Sequence, residues 1–387
     1  MSKPYKLALS QIVKNEAHVI ERMLNTIKDI VDCVVIVDTG STDGTQDVIK
    51  KWGESNNIPA FVYDKVFDNF ENCRNYAMEM VKDKSEYAFW LDADEMLEVD
   101  PKLFNKNKLD KDLYMFNTYI GAMKYTRNEC WKTDKPFRWY GPVHEFIVCD
   151  QQNITSGLMD GICVRVHMDG GSWKTGNIAD KYKKHSAILE DYIDNKDRNA
   201  RWVFYTAQSY HDSASLPDNK AENEERLRRS MKYYKERIGR SDGYEEERFY
   251  SQFRVGTIMR NLEYPWSETS QELLKAYSME PLRGEPIKSI IDHYLMVGEW
   301  NMAYLYSKFA KVNFHNKNPY PTRLLFVDES LYIWRFLEVH AAASFYTGRK
   351  EEASATYKEL LDALKNTPEY FGPEDVNKIN SNAQFFK

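Results

Sequence analysis

The sequence predicts an α/β domain built on a doubly wound, mostly parallel sheet, followed by an all-α domain of helical repeats. Three observations carry this reading. Between Leu7 and Leu91, short β-branched apolar runs alternate with amphipathic stretches. Each of these runs gives way to a polar cluster. After about Asp180 the strand-like runs stop, and helix-length segments follow one another to the end.

Leu7–Val13 (LALSQIV) and Cys33–Val37 (CVVIV) read as buried parallel strands, short and β-branched. Between them Val19, Ile20, Met23, Leu24 and Ile27 recur at helical spacing. Pro59–Tyr63 and Tyr87–Leu91 are the next strands, with helices near Thr45–Trp52 and Asn72–Lys82. A βαβαβαβ order gives right-handed crossovers and a doubly wound sheet. Ligands of such sheets bind beyond the carboxyl ends of the strands. The stretch Leu113–His167 is less regular and rich in aromatics, with strand-like LYMFNTYI and GICVRVH, and it completes a first domain over residues 1–178. Residues 179–387 form the second. There Glu285–Gly298 pairs with Glu299–Val312, and Leu331–Gly348 with Arg349–Leu361. Each pair ends its first helix in glycine and places an alanine early in the second. This is the layout of helix-turn-helix repeats that bury their apolar faces only by stacking.

The chain has 387 residues and a formal net charge of −6, which disfavours non-specific nucleic-acid binding. The basic run Arg226–Arg240 reads as a solvated helix face. The five cysteines, Cys33, Cys73, Cys130, Cys149 and Cys163, are scattered and lack CxxC spacing, so neither a disulfide framework nor a zinc knuckle is indicated. No apolar run is long enough to span a bilayer, and the N-terminus lacks a signal-peptide core. A soluble cytoplasmic protein is expected, in the host cytoplasm if a virus encodes it.

The chemistry sits at the strand ends. Lys14-Asn15-Glu16 follows the first strand, Asp38–Thr45 (DTGSTDGT) the second, and Asp92-Ala93-Asp94-Glu95 the fourth. Two carboxylates one residue apart at a strand end can both reach one hard divalent cation that keeps vacancies for phosphate oxygens. Such an ion neutralises a diphosphate as its bond to a sugar breaks. The triplet alone is common in a chain with 59 acidic residues; its place beside two other strand-end motifs gives it weight.

The string IVKNE…VDCVVIVDTGSTDGT…ENCRNYA…FWLDADE resembles the family 2 glycosyltransferases with the GT-A fold, a Rossmann-like, mostly parallel sheet. More narrowly, it is similar to the subgroup with a C-terminal tetratricopeptide-like extension. GPVHE at Gly141–Glu145 and VRVHMDGG at Val164–Gly171 fit that subgroup too. The resemblance implies that Asp38 bonds the nucleotide base or ribose, with Asn15, Glu16, Ser41 and Asp43 lining the same pocket. It implies that Arg74 and Asn75 close the nucleotide site, that Asp92 faces the ribose or metal, and that Asp94 is the principal metal ligand with His167 completing the set. The expected cofactors are Mn²⁺ or Mg²⁺ and a nucleotide-sugar donor, with UDP-sugar as the first choice. An inverting transfer needs a group to take the acceptor proton. Glu145, with His144 beside it, is the first candidate for that base, and Glu95 is its rival.

Two other classes compete. Sugar nucleotidyltransferases carry an early glycine-rich loop, which SQIVKNEA lacks. A non-catalytic repeat protein would have no need of the intact aspartates. The expected acceptor is a hydroxyl or thiol on a protein, peptide or glycan. Hydroxymethylated bases of viral DNA are the alternative, kept open by Arg226–Arg240 and by Lys181–Lys184. The helical domain is read as an acceptor-binding or dimerising annex, so a homodimer through it is within this expectation.

Overall fold

The computed structural model describes residues 3–121, 123–170, 178–214, 219–317 and 325–386. The chain forms two compact units. One comprises Met1–Gly121 and Tyr125–Tyr192, the other Ala122–Lys124 and Ile193–Lys387.

In the first unit the elements run β1 (Tyr5–Val13), α1 (Ile20–Ile27), β2 (Cys33–Asp38), α2 (Thr45–Asn56), β3 (Ala60–Asp64), α3 (Phe70–Lys82), β4 (Ser85–Phe89) and β5 (Glu95–Val99). They continue with β6 (Leu113–Ile120), β7 (Met123–Lys132), β8 (Phe137–Tyr140), β9 (Phe146–Cys149), β10 (Ser156–Val166) and α4 (Ile178–Asn195). The main sheet has the order β3-β2-β1-β4-β7-β6-β10-β5, with β8 and β9 as a separate hairpin. β1 pairs in parallel with both β2 and β4, and β2 in parallel with β3. β4 pairs antiparallel with β7, and β10 antiparallel with β5, so the parallel half gives way to a mixed one. This is the mostly parallel, GT-A-like sheet that the sequence predicts.

β2 is buried at every position, because helices cover both of its faces. Val34 and Ile36 pack with Ile20, Met23, Leu24 and Ile27 of α1 on one face. Val35 and Val37 pack with Ala77 and Val81 of α3 on the other. Period two in the strand meets period 3.6 in the helices. The chain leaves β1 toward β2 on one side, and β4 lies on its other side, so the loops after β1 and β4 diverge. That divergence is the topological switch point at which such sheets bind ligands. β4 stops at Phe89 rather than at the expected Leu91, since the chain then turns and Glu95 accepts the Asp92 amide at 3.0 Å.

The second unit is helical: α5 (Ala200–Ser213), α6 (Lys220–Ile238), α7 (Glu245–Asn261), α8 (Trp266–Met279), α9 (Glu285–Val297), α10 (Trp300–Asn313), α11 (Phe336–Tyr346), α12 (Lys350–Asn366) and α13 (Pro373–Asn382). The glycine–alanine layout holds. Gly298 and Gly348 end their helices with φ of +79° and +76°, a conformation that favours glycine. Ala303 and Ala353 are buried where the next helix packs. One turn of π-helix, Leu331–Arg335, precedes α11, a local widening that the periodicity did not reveal.

The basic run on α6 is largely ion-paired. Arg226 meets Glu222 at 2.7 Å, Arg228 meets Glu224 at 3.7 Å and Arg229 meets Glu225 at 3.2 Å. Arg237 is not on a solvated face: it is fully buried, bonded to Glu247 at 3.0 Å and to the Tyr244 carbonyl at 2.6 Å. Removing one partner of such a pair strands the other charge, so Arg237→Ala is expected to lower stability by about 3–5 kcal/mol. Denaturant unfolding measures this, and a loss below about 1 kcal/mol would contradict the buried pairing.

Candidate active site

The loops after β1 and β2 are stitched together. Asp38, buried at the end of β2, accepts the amides of Gly40 and Ser41 through Oδ1 at 2.8 and 2.7 Å. Gly40 has φ +104°, which lets the chain turn that sharply. The other carboxylate oxygen of Asp38 is buried without a protein donor. Ser41 Oγ accepts the Asn15 amide at 2.9 Å, and Asn15 Oδ1 accepts the Thr42 amide at 2.8 Å. Asp43 accepts the Ala17 amide at 3.0 Å, and Thr45 Oγ1 accepts that of Glu16 at 2.8 Å. Asn15, Glu16, Asp38, Ser41 and Asp43 are therefore neighbours, as the sequence predicts. Asn15, Ser41 and Asp43 use side-chain atoms to hold the two loops in register.

Beyond β4, Trp90 donates its indole N–H to Asp92 Oδ1 at 2.9 Å. Arg74 of α3 lies against the indoles of both Trp90 and Trp139, at 4.3 and 4.6 Å from the ring centres, and 3.7 Å from Asp92. Desolvation opposes the charge of Asp92, but Arg74 and Arg127 together hold its pKa below the ordinary value. Asp94 is buried and shifts the other way, raised by desolvation and by Asp92 beside it. Gly170 donates its amide to Asp94 Oδ2 at 3.3 Å, and a Cβ on Gly170 would lie 3.0 Å from Asp94 Cγ. The His167 amide donates to the Asp94 carbonyl at 3.2 Å, while its side chain is exposed. Arg22 grips Asp169 with two bonds of 2.8 and 2.6 Å, fastening the segment after β10 to α1. Among the described residues, no three His, Cys, Asp or Glu side chains gather as a complete metal cage.

Glu95 is held inside the fold. Its two oxygens lie 2.8 and 2.9 Å from Arg127, whose Nε is 2.6 Å from Glu129. Two buried carboxylates thus share one guanidinium, and desolvation raises the pKa of both. An acid so engaged is poorly placed to meet an acceptor.

The segment Gly141–Glu145 joins the hairpin strands β8 and β9, which pair Tyr140 with Phe146. Asn75 anchors that hairpin: its amide accepts from and donates to the Trp139 backbone at 2.8 and 2.9 Å. Glu71 accepts the Gly141 amide at 3.0 Å. His144 adopts φ +56°, and its ring meets His185 of α4 edge-on at 5.6 Å. Glu145 follows with one oxygen buried and without a protein donor. Desolvation raises its pKa, with Arg74 opposing and Asp92 reinforcing that shift. Arg74 thus acts on both Asp92, beyond β4, and the acid of the hairpin.

Residues 12–146 match the model of glycosyl transferase family 2. This stretch is a family 2 glycosyltransferase domain. It holds every candidate residue except His167. A prophage-derived glycosyltransferase, SunS of Bacillus subtilis, is 26% identical over 239 residues, covering 58% of this chain and 53% of that relative. The chain therefore spans about half the length of this curated relative. A TPR repeat-containing protein of Synechococcus elongatus is 26% identical over 149 residues, 37% of this chain and 35% of the relative. Among solved structures, Staphylococcus aureus TarS 1–349 in complex with UDP-GlcNAc is 12% identical at a TM-score of 0.35, covering 66% of this chain and 89% of that one.

Sequence reading missed Arg22, Arg127 and Glu129 around this family 2 domain, and gave Trp90 and Asp169, which lie inside its motifs, no role of their own. Arg127 and Glu129 alternate along β7, a pattern that signals one face of a strand but not that the face is buried. Their burial sets a pH dependence. A carboxyl whose pKa is raised on folding stabilises fully below its unfolded value, near 4.5, and that contribution is lost as pH climbs through the raised value. Glu129→Gln should therefore gain stability relative to the native chain on going from about pH 5 to about pH 8. Denaturant midpoints at the two pH values measure it; parallel behaviour of both proteins would refute the buried pair.

Proposed function

We propose that the chain is an inverting glycosyltransferase moving a sugar from a nucleotide donor, a UDP-sugar, to a hydroxyl or thiol on a protein or glycan. The observation that supports this best is the grouping at one sheet edge. Asp38 and Asn15-Glu16 are stitched side by side, Asp92–Asp94 follow the adjacent strand, and Glu145 shares Arg74 with Asp92. Asp38 is the base- or ribose-binding acid, and its second oxygen is the acceptor available to a ligand. Glu145 takes the proton from the acceptor, because its buried oxygen has no protein donor competing for it. Arg74 and Asn75 act by holding Asp92 and the hairpin rather than by touching the base. The division of labour assigns donor chemistry to residues 1–178 and acceptor binding to the helices of 179–387.

Asp92 and Asp94 suit a hard divalent ion such as Mn²⁺ or Mg²⁺. They offer oxygen donors, and Asp94 is strained electrostatically by its neighbour. An incomplete cage is what such ions use when substrate phosphates finish the shell. When bound, the ion would neutralise the diphosphate charge. His167 would join through its exposed ring. The DNA alternative loses ground on charge: Arg226, Arg228 and Arg229 are paired with glutamates, and Lys183 is 3.7 Å from Asp180.

Two substitutions separate donor from acceptor chemistry. Asp94→Ala should abolish Mn²⁺-dependent hydrolysis of a UDP-sugar, read as UDP release; turnover equal to the native chain would remove Asp94 from the site. Glu145→Gln should slow sugar transfer by about 10²–10⁴-fold while UDP affinity stays level. Calorimetric loss of UDP binding in that variant would instead place Glu145 on the donor side.

A further inference from the structure

The turn that carries the aspartate pair is closed from within and held from β7. Two bonds cross it: the Glu95 amide donates to the Asp92 carbonyl at 3.1 Å, and the Asp92 amide donates to Glu95 Oε2 at 3.0 Å. Only the second needs the Glu95 side chain, and it needs that side chain turned inward, where it is 2% exposed. Arg127 sustains the inward position. Its Nη2 donates to the two Glu95 oxygens at 2.8 and 2.9 Å, and its Nε lies 2.6 Å from Glu129. A buried carboxylate stripped of its cation is strongly unfavourable, so Glu95 stays beneath the turn only while Arg127 is there. A second route from β7 reaches the same aspartate. The Glu129 carbonyl accepts the Trp90 amide at 2.9 Å, and the Trp90 indole donates to Asp92 Oδ1 at 2.9 Å. Asp92 is thereby fixed at its amide and at one carboxylate oxygen, by groups that trace to two positions of one strand.

We infer that Arg127 is a positioning residue for the divalent ion: through Glu95 it sets the backbone of Asp92–Asp94 in the shape that lets both carboxylates share one ion. This rests on the metal reading above and adds a residue outside every strand-end motif. Arg127 itself touches neither the ion nor the donor. Its two effects on the ion oppose each other. As a cation two hydrogen bonds removed from the Asp92 backbone, it repels a divalent ion, so on Coulombic grounds alone its removal should tighten binding. As the anchor of Glu95 it pre-sets the ligands, and partners of that kind are worth about 10- to 100-fold in metal affinity. The second effect is the larger here. The guanidinium is already met by two buried carboxylates, which leaves little of its field to act on the ion, whereas the bond to the Asp92 amide depends on it.

In the test, Mn²⁺ is titrated into the full chain, alone and with UDP, and the free ion is read by electron paramagnetic resonance against a blank of UDP. Arg127→Met should weaken Mn²⁺ binding by about 10- to 100-fold. The sign is the decisive reading, because in a folded chain the loss of one cation lowers affinity for another only through geometry. Adding Glu95→Gln to that variant should restore most of the affinity, since glutamine keeps an oxygen for the Asp92 amide and needs no counter-charge. Arg127→Lys keeps the charge but loses the fork, and it should weaken Mn²⁺ binding too; it decides the matter if near-ultraviolet circular dichroism shows that the methionine variant has lost its fold. Equal or tighter binding in folded Arg127→Met overturns the assignment. So does a weakening that Glu95→Gln leaves in place, which would mean that Arg127 supports the sheet rather than the turn. Mn²⁺ binding that is absent from the native chain, or that Asp94→Ala leaves unchanged, would instead refute the metal site itself, and this inference with it.

Discussion

Gathering like charges in one place costs free energy, and this domain does so at the end of its fourth strand. Asp92, Asp94, Glu95, Glu129, Glu145 and Asp169 all interact around that edge, with Arg22, Arg74, Arg127 and Lys181 set among them. The cations are not interchangeable. Arg22 and Arg127 make close bonds within the fold, whereas Arg74 rests against two indoles and stands 3.7 Å from its carboxylate. Contact with aromatic rings holds a guanidinium without using all of its donors. Sheet order, hairpin attachment and helix α4 all serve to hold these groups against their repulsion.

The parallel half of the sheet was legible because burial leaves a direct mark on residue choice. A strand covered on both faces is written in valine and isoleucine, as in CVVIV, and a covering helix shows apolar residues three and four apart. The strand-end motifs were legible for a related reason: loops that turn sharply and cap helices need glycine, serine, threonine and aspartate. The same fact limits what those motifs say. Ser41 and Asp43 look like ligand residues in the sequence, yet in the fold their side-chain oxygens accept backbone amides of the neighbouring loop.

What stayed hidden were partners distant in sequence. Glu95 stands directly after the aspartate pair and so invited a catalytic reading, but Arg127 on β7 draws it inward. Nothing near Glu95 in the chain announces that arginine. Asn75 reads as part of a nucleotide-binding segment, while the structure gives both of its amide atoms to the backbone of Trp139, far along the chain. In the helical unit the reverse holds, because contacts between successive helices are local in sequence. Gly298 with Ala303, and Gly348 with Ala353, marked the turns and packing positions correctly.

The contact between Gly170 and Asp94 has a consequence for variation. A main-chain amide orients the carboxylate, so no side chain at position 170 is needed for that bond, and a Cβ there would press on Asp94. Mutational freedom at this point is thus inverted relative to an ordinary binding loop: the identity that matters is the lack of a side chain. Diversification of the site, whether by drift or by design, is steered away from this wall and toward α4 and the hairpin, whose side chains look onto the same edge.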